Sequence, residues 1–510
     1  MAVTFSEHAP PADPSAPAAP PALRHRLASR LPGDRVSSWW WALSIAAAAL
    51  VLRLVSLSFP SKRVFDEVYY SKDAWSLLQH GVEFNDKGTE GSFVVHPPLG
   101  KWCIALGQWI FGNNSLGWRV SAAVFGAVSV LILVRVGRRL LGSTLLGCLA
   151  GLLLSLDGLH FVMSRVALLD IFLMTFVLAS FACLVLDRDA RRATILARLD
   201  AGDDPVAAIR RWSGWRHMPW WRIAAALLMG CALAVKWSAV YYLAAFVLLA
   251  FVWEAGAVRT AGVKQWIARS IIWEVALAVG FCVLASIVYF GSWSGWLLTD
   301  KGWDRHWAEN TGSQVAFLPN FVVNLWHYHS AVLDFHENLH TPHPYQSTPW
   351  SWLYLGRPVA FYYESPQGCG APSCSSEIIA LGNPVLWWAF LPALAGTAWR
   401  WIARRDWAAG AILVGTAAGI LPWLAYPGRT MFFFYALPAL PFMVLAVTVV
   451  LGMVLGKANA ELDRRMAGAI LVGAYLLLVA GAFAFFYPIY TGELITNAQW
   501  QARMWLDTWV

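Results

Sequence analysis

Charged residues are scarce in this chain of 510 residues: Asp, Glu, Lys and Arg together make up 13%, against roughly 25% in a typical soluble domain. Hydrophobic residues make up 58%, and tryptophan occurs 31 times. No soluble core of this length needs so much apolar surface, so a soluble enzyme, a disordered protein and a fibrous repeat are excluded as the whole molecule. The composition favours many membrane-spanning helices.

Several motifs are absent as well. The sequence has neither a Gly-x-Gly-x-x-Gly turn after a strand nor a phosphate-binding P-loop, so nucleotide binding is unsupported. Seven cysteines are too few for a disulfide scaffold. Only Cys369 and Cys374, which bracket the polar loop CGAPSC, are candidates for a disulfide, provided that this loop faces an oxidising compartment. The net charge of +8 does not indicate nucleic acid, because in a membrane protein the distribution of Lys and Arg matters more than their sum.

The first 38 residues are rich in Pro and Ala and contain no apolar stretch of the signal-peptide kind, so we predict a disordered cytoplasmic tail. Ten apolar segments follow, and one of them, residues 223–253, is too long for a single span. Lys236 lies in its middle, where a lysine at bilayer depth costs about 3 kcal/mol. We therefore predict two short helices that meet near Lys236 and Trp237, and eleven spans in all. The other nine predicted spans are residues 39–59, 118–134, 140–156, 166–186, 271–290, 384–399, 408–425, 431–455 and 467–487.

Eleven spans with a cytoplasmic N-terminus place 24 of the 38 Lys and Arg residues in inner segments and only 10 in the longer outer segments. This asymmetry follows the positive-inside rule, so the C-terminus is predicted outside. The predicted regions are an N-terminal transmembrane module (39–290) containing a first outer loop (60–117), a second outer loop (291–383), C-terminal transmembrane helices (384–487) and an external tail (488–510). Two large loops on one face indicate chemistry at that face.

The first outer loop opens with two adjacent carboxylates, Asp66 and Glu67, just past the first span. If this stretch forms an interfacial helix, its residues are about 100° apart, so the two carboxylates point in different directions. One can then act as a base while the other holds structure. The alternative is a solvated acidic pair at the start of a surface helix.

Further candidates are a phosphate-binding pair and several charges in or beside the spans. The segment VVHPPLGKW contains His96 and Lys101, which could together hold a phosphate. The alternative is that the prolines only begin a helix and that the Lys101 side chain extends to the lipid headgroups. Ionisable groups in spans are costly and are usually functional or paired. They form either a cationic site for an anionic lipid headgroup or local pairs. These residues are Arg53, Arg119, Arg165, Asp170, Lys236 and Arg429.

The second outer loop is crowded with histidines. His336 and His340 are four residues apart, so a metal site must be considered, but no His-Glu-x-x-His pattern is present. We expect no metal ligands, although a divalent metal is not excluded. The mixture of aromatic, polar and proline residues favours a surface that binds a sugar or an extended peptide.

The motifs FDEVYY, HPPLGK, SRVALLD and KWSAVYY, in this order, resemble the protein O-mannosyltransferase family (glycosyltransferase family 39). The segments HPYQSTPWSW, GNPVLWW and PGRTMFFFY also resemble this family, so the similarity runs over nearly the whole chain. The resemblance implies an all-α polytopic membrane protein with the GT-C fold and two outer loops that carry interfacial helices. The second loop is too short for the β-trefoil module of eukaryotic members, so the chain resembles a bacterial-type member.

The resemblance also implies a reaction. The donor is a polyprenyl- or dolichyl-phosphate mannose, and the acceptor is a Ser or Thr hydroxyl of a secreted or membrane protein, with the translocon as a candidate meeting place. Transfer inverts the anomeric carbon in a single displacement at the outer face of the plasma membrane. Asp66 matches the general base and Glu67 its partner acid, and Arg53 and Arg119 match basic positions of the family.

Two alternatives remain at the level of sequence. The first is a sister enzyme that moves another sugar, such as aminoarabinose, onto a lipid. The second is a transporter, which would place polar residues along a path through several spans. Nucleic acid is not expected as a partner, and no cofactor is indicated.

Overall fold

The computed structural model describes residues 20–28, 31–85, 87–210, 218–457 and 459–510. The predicted disordered tail therefore lies largely outside the described residues. Within its described part, Pro21–Leu27 forms a short helix, and Leu27 is buried beside Ile195 and Val258 in a small apolar cluster.

Helices make up most of the described chain, which confirms the predicted helical fold class. Short 3-10 helices occur at Leu421–Ala425, Phe433–Ala439 and Asp507–Trp509. The α-helices are α1 Pro21–Leu27, α2 Arg35–Leu54, α3 Glu67–His80, α4 Leu99–Phe111, α5 Ser115–Leu141, α6 Thr144–Ser155, α7 Gly158–Met163, α8 Asp170–Asp200, α9 Pro205–Ala208, α10 Trp220–Leu233, α11 Ala239–Thr260, α12 Trp266–Ser292, α13 Ser294–Leu298, α14 Trp307–Thr311, α15 Asn320–Glu337, α16 Pro349–Trp352, α17 Pro384–Trp388, α18 Phe390–Arg404, α19 Trp407–Ile420, α20 Leu440–Leu455, α21 Leu462–Thr491 and α22 Asn497–Gln501.

Eight helices of the described residues are long and apolar enough to cross a membrane, and α6 and α10 are shorter apolar helices. The chain is therefore a multi-pass membrane protein. Every predicted span coincides with helical residues, but the count of eleven crossings stays a prediction. The eight are Arg35–Leu54, Ser115–Leu141, Asp170–Asp200, Ala239–Thr260, Trp266–Ser292, Trp407–Ala425, Phe433–Leu455 and Leu462–Thr491.

The predicted break in the long apolar segment is confirmed. Helix α10 ends at Leu233 and α11 begins at Ala239, so Lys236 lies in the turn between them. Its Nζ atom is 2.8 Å from Oδ2 of Asp170, the first residue of α8. A buried lysine is tolerated here because the turn brings it to a carboxylate.

Burial separates the helices into a centre and a periphery. Most residues of α8 and α20 are buried, whereas α12 and α21 are mostly exposed. The exposed side chains of the outer helices are large and apolar, as at Ile272 of α12 and Leu477 of α21. Apolar side chains on the outside are expected where hydrocarbon rather than water is the solvent.

A small β-sheet on the outer loops was not predicted. Strand β1 (Val359–Glu364) pairs antiparallel with β2 (Cys374–Ala380), and β2 pairs antiparallel with β3 (Ile495–Thr496) of the C-terminal tail. A disulfide joins Cys369, in the loop after β1, to Cys374, the first residue of β2. The second outer loop and the tail, which the sequence presented as separate regions, are thus joined in one sheet.

Candidate active site

The segment that leads into α3 fixes the position of Asp66. Phe65 has a φ of +46°, a left-handed backbone conformation that is unfavourable for a bulky residue. Its ring is held in an aromatic cluster, 5.1 Å from the ring of Phe361 and 5.6 Å from that of Phe432. Asp66 occupies the N-cap position of α3, yet its side chain makes no capping hydrogen bond. Its carboxylate is therefore not used to start the helix.

Glu67 is used in a different way. It is fully buried, and its two carboxylate oxygens each accept a 2.8 Å hydrogen bond from the guanidinium of Arg119. Backbone amides of Val64 and Ala167 donate to the same carboxylate at 3.0 and 2.8 Å. Arg119 also donates to the Leu57 and Pro60 carbonyls. This ion pair ties the first outer loop to α5 and to the segment before α8.

A cavity of about 530 Å³ lies beside this loop. It is enclosed by the start of α8, the turn between α10 and α11, the end of α15 and residues 418–438. Its walls combine polar groups with the aromatic side chains of Trp237, Tyr241, Trp423, Tyr426 and Tyr435. Four of the ten residues predicted for the site lie on its walls, namely His96, Asp170, Lys236 and Arg429.

The two cations of the cavity flank one aromatic ring. The Lys236 Nζ atom is 5.4 Å, and the Arg429 Cζ atom 5.8 Å, from the centre of the Tyr435 ring. Lys236 is neutralised by Asp170, whereas Arg429 contacts only a histidine and a backbone carbonyl among the hydrogen bonds of the described chain. The Arg429 side is therefore the positive end of the cavity.

Asp66 is coupled to this cavity by charge. The pKa of Asp66 is raised to about 6, mainly by burial within the surrounding protein. Lys236 and a hydrogen bond from Tyr70 act against this rise, and the neighbouring Asp170 carboxylate adds to it. A carboxylate with a raised pKa is a stronger base than an exposed one and is still mostly ionised at neutral pH. This combination suits a general base.

His96 and His336 carry no charge near neutral pH. Burial lowers the pKa of His96 well below its ordinary value, and it lowers the pKa of His336 to about 4. Their rings are 5.5 Å apart and stacked, and the His96 ring is 6.0 Å from that of Tyr70. Among the described residues no group of three or more His, Cys, Asp or Glu side chains is arranged to hold a metal ion.

The other six predicted residues do not line the cavity. Asp66 and Glu67 are two of them, and the remaining four are cations. Arg119 is engaged by Glu67, as described above. Arg53 lies 2.7 Å from Nδ1 of the buried His160, rather than beside a loop carboxylate. Arg165 donates to the carbonyls of Arg53 and Val55 at 2.7 and 2.6 Å, and Lys101 is buried beside Glu83. These cations hold backbone and side chains together around the site.

Sequence reasoning missed several cavity residues. Nothing in the sequence around Tyr435 or Trp423 distinguishes an aromatic side chain that lines a cavity from one that packs in the core. His336 was considered only as a metal ligand, and His340, which also lines the cavity, lies beyond the end of α15 at Glu337.

The fold matches solved membrane glycosyltransferases. The protein O-mannosyltransferase Pmt1-Pmt2 complex of S. cerevisiae, solved with its sugar donor, superposes with a TM-score of 0.73 at 15% identity, covering 95% of this chain and 94% of that one. The described helices therefore have the GT-C fold of this class of membrane proteins.

The family follows from sequence comparison. Residues 43–294 match the family model of dolichyl-phosphate-mannose-protein mannosyltransferase, and residues 321–509 match the C-terminal four-helix region of protein O-mannosyltransferase. The polyprenol-phosphate-mannose--protein mannosyltransferase of Mycolicibacterium smegmatis is 39% identical over 493 residues, 94% of each chain. That of Mycobacterium tuberculosis is 38% identical over 514 residues, 98% of this chain and 97% of its own. This chain belongs to the protein O-mannosyltransferase family and is a mannosyltransferase.

Proposed function

We propose that this protein transfers mannose from polyprenyl-phosphate mannose to Ser or Thr hydroxyls of translocated proteins, with Asp66 as the general base. The names of the mycobacterial relatives specify this donor and a protein acceptor. The observation that carries the proposal is a carboxylate of raised pKa beside a cavity whose walls hold Lys236 and Arg429. Such a site contains a base that can take the proton of an acceptor hydroxyl and cations that can stabilise the phosphate of the donor.

Asp66 acts on the acceptor. A Ser or Thr hydroxyl is a weak nucleophile, so a positioned carboxylate must take its proton while the new bond to the sugar forms. Glu67 is unsuited to this step because four donors occupy its oxygens. Its role is to position the loop.

Lys236 and Arg429 act on the leaving group. The bond from the anomeric carbon to the phosphate breaks, so negative charge grows on the phosphate oxygen, and fixed cations stabilise that charge. Nη1 of Arg429 is buried and has no hydrogen-bond partner within the described residues. An unpaired buried donor is costly unless a ligand satisfies it, and a phosphate oxygen would do so.

The arrangement of carboxylates supports a single displacement. Retention of configuration by double displacement needs a second carboxylate that is able to attack the sugar. Glu67 is held by Arg119, and Asp170 is paired with Lys236. With Asp66 occupied as the base, the acceptor oxygen attacks the anomeric carbon directly and the configuration inverts.

We place this reaction at the outer face of the plasma membrane, with the N-terminus in the cytoplasm and the C-terminus outside. The distribution of Lys and Arg supports this orientation. It brings both outer loops and the acceptor to the side where a secreted protein emerges from the translocon.

The donor is tested with purified protein, an acceptor peptide that contains one Ser, and labelled polyprenyl-phosphate sugars. We expect mannose to be transferred and aminoarabinose not. Arg429→Gln should lower kcat/KM for the mannose donor about 100-fold, as expected for the loss of one donor to developing charge. Lys87→Gln, which removes an exposed cation from the same outer loop as Asp66, serves as the control and should behave as wild type. Exclusive use of a sugar other than mannose would overturn the proposal.

A further inference from the structure

Two histidines hold the turn that carries Arg429: His336 near the end of α15, and His340 just beyond it. Nδ1 of His336 is 3.2 Å from Nη2 of Arg429, and the His336 carbonyl accepts a hydrogen bond from Nε of the same guanidinium at 3.2 Å. Nδ1 of His340 is 2.7 Å from the carbonyl oxygen of Gly428. Two more bonds join Thr430 to the chain that follows α15, from its amide to the Leu339 carbonyl and from its hydroxyl to the Thr341 carbonyl. The end of this helix therefore fixes both the backbone and the side chain at Arg429.

The hydrogen bonds of His336 determine its tautomer. Nε2 lies 3.0 Å from the carbonyl oxygen of Val95, which can only accept, so Nε2 carries the proton. Nδ1 is then an acceptor, as the Arg429 contact requires. The imidazole thus connects Val95 of the first outer loop to the guanidinium of Arg429.

This link controls the direction of Arg429. The guanidinium is planar and rigid, so fixing two of its nitrogens fixes the third. His336 engages Nε and Nη2, which leaves Nη1 buried without a partner among the described residues, on a side chain that lines the cavity. The rings of Trp423 and Tyr435, each 5.8 Å from Cζ, limit the remaining motion of the plane.

We propose that His336 is a positioning residue, which holds Arg429 so that Nη1 meets the phosphate leaving group of the donor. This inference rests on the proposed function, because it requires an anionic leaving group in the cavity. His336 forms no bond to the sugar and exchanges no proton in the reaction. Its contribution is the orientation of a cation that would otherwise adopt several rotamers.

Two substitutions separate the two hydrogen bonds of His336. Asn places an acceptor near the position of Nδ1 and keeps the side-chain contact with Arg429, whereas Gln places a donor near the position of Nε2 and keeps only the side-chain contact with Val95. The bond from Arg429 Nε to the backbone carbonyl of residue 336 is present in both variants. We expect His336→Gln to lower kcat/KM at least tenfold and to weaken binding of free polyprenyl phosphate, and His336→Asn to stay within about threefold of wild type. The opposite ranking would show that the histidine merely packs α15 against the first loop, and it would overturn the inference.

A double-mutant cycle tests whether His336 acts through Arg429. The double variant His336→Gln/Arg429→Gln should be no slower than Arg429→Gln alone, whereas losses that multiply would contradict the proposal. If Arg429→Gln has wild-type activity, the proposed leaving-group cation is wrong and this inference is lost with it. If Arg429→Gln is impaired but His336→Gln is not, only this inference is overturned.

His327→Gln is the matched control, since His327 lies on α15 beside Asp304 and away from the cavity, and it should retain wild-type activity.

Discussion

Asp66→Asn is expected to lower mannose transfer between about 100-fold and 10,000-fold, the usual range for the loss of a general base. The substitution preserves the shape of the side chain but removes the charge that accepts the proton from the acceptor hydroxyl. The Asp66 side chain caps no helix, so the variant should insert and fold as wild type does. The measurement is the single-turnover rate of transfer to a peptide at saturating donor.

The pH profile supplies the internal control for this result. Because burial raises the pKa of Asp66 to about 6, wild-type activity should be constant above that pH and should fall as the pH drops through it and the base becomes protonated. The residual activity of Asp66→Asn should lack this acidic limb. Glu90→Gln, a change at an exposed carboxylate of the same loop, should keep both the rate and the limb. An Asp66→Asn variant with near-wild-type transfer would remove Asp66 as the base.

Arg119→Gln should have the second large effect, this time on stability. It leaves the buried Glu67 side chain without its ion-pair partner, and breaking a buried pair in this way costs about 3–5 kcal/mol. We expect a markedly lower midpoint of thermal unfolding in detergent and a loss of transfer, because the loop that carries Asp66 is no longer held.

An exposed ion pair of the same chain serves as the control for this stability prediction. Arg24 and Asp200 form an ion pair at 3.0 Å whose side chains are 47% and 32% exposed. Arg24→Gln should therefore cost less than about 1 kcal/mol and leave activity unchanged. Equal midpoints for Arg119→Gln and Arg24→Gln would contradict the structural role assigned to Glu67 and Arg119.

The membrane fold could be predicted because its signal is local. An apolar run of sufficient length is visible in sequence, and Lys236 marked the break between α10 and α11 because a lysine at mid-membrane is costly. The structural role of Glu67 also agrees with the sequence analysis, in which one of two adjacent carboxylates holds structure because neighbours on a helix point in different directions. The β-sheet was missed because its third strand comes from the C-terminal tail, more than a hundred residues after the first two.

The partners of the cations could not be predicted, because they lie far apart in the chain. Arg53 pairs with His160, 107 residues away, and Arg429 meets His336, 93 residues away. Nothing in the local sequence of Arg53 separates a buried structural cation from one that faces a substrate. Only the folded chain shows that Lys236 and Arg429 line the cavity while Arg53, Lys101, Arg119 and Arg165 do not.

The most direct test of the account is the configuration of the product that the wild-type protein makes from polyprenyl-phosphate mannose of known anomeric configuration. The mannosyl peptide should be isolated after one round of transfer and its anomeric centre assigned by NMR. A single displacement with Asp66 as the base predicts a Ser- or Thr-linked mannose of the configuration opposite to that of the donor. Mannose linked with the donor's own configuration would contradict the account, because a single in-line displacement by the acceptor oxygen cannot retain the configuration of the anomeric carbon.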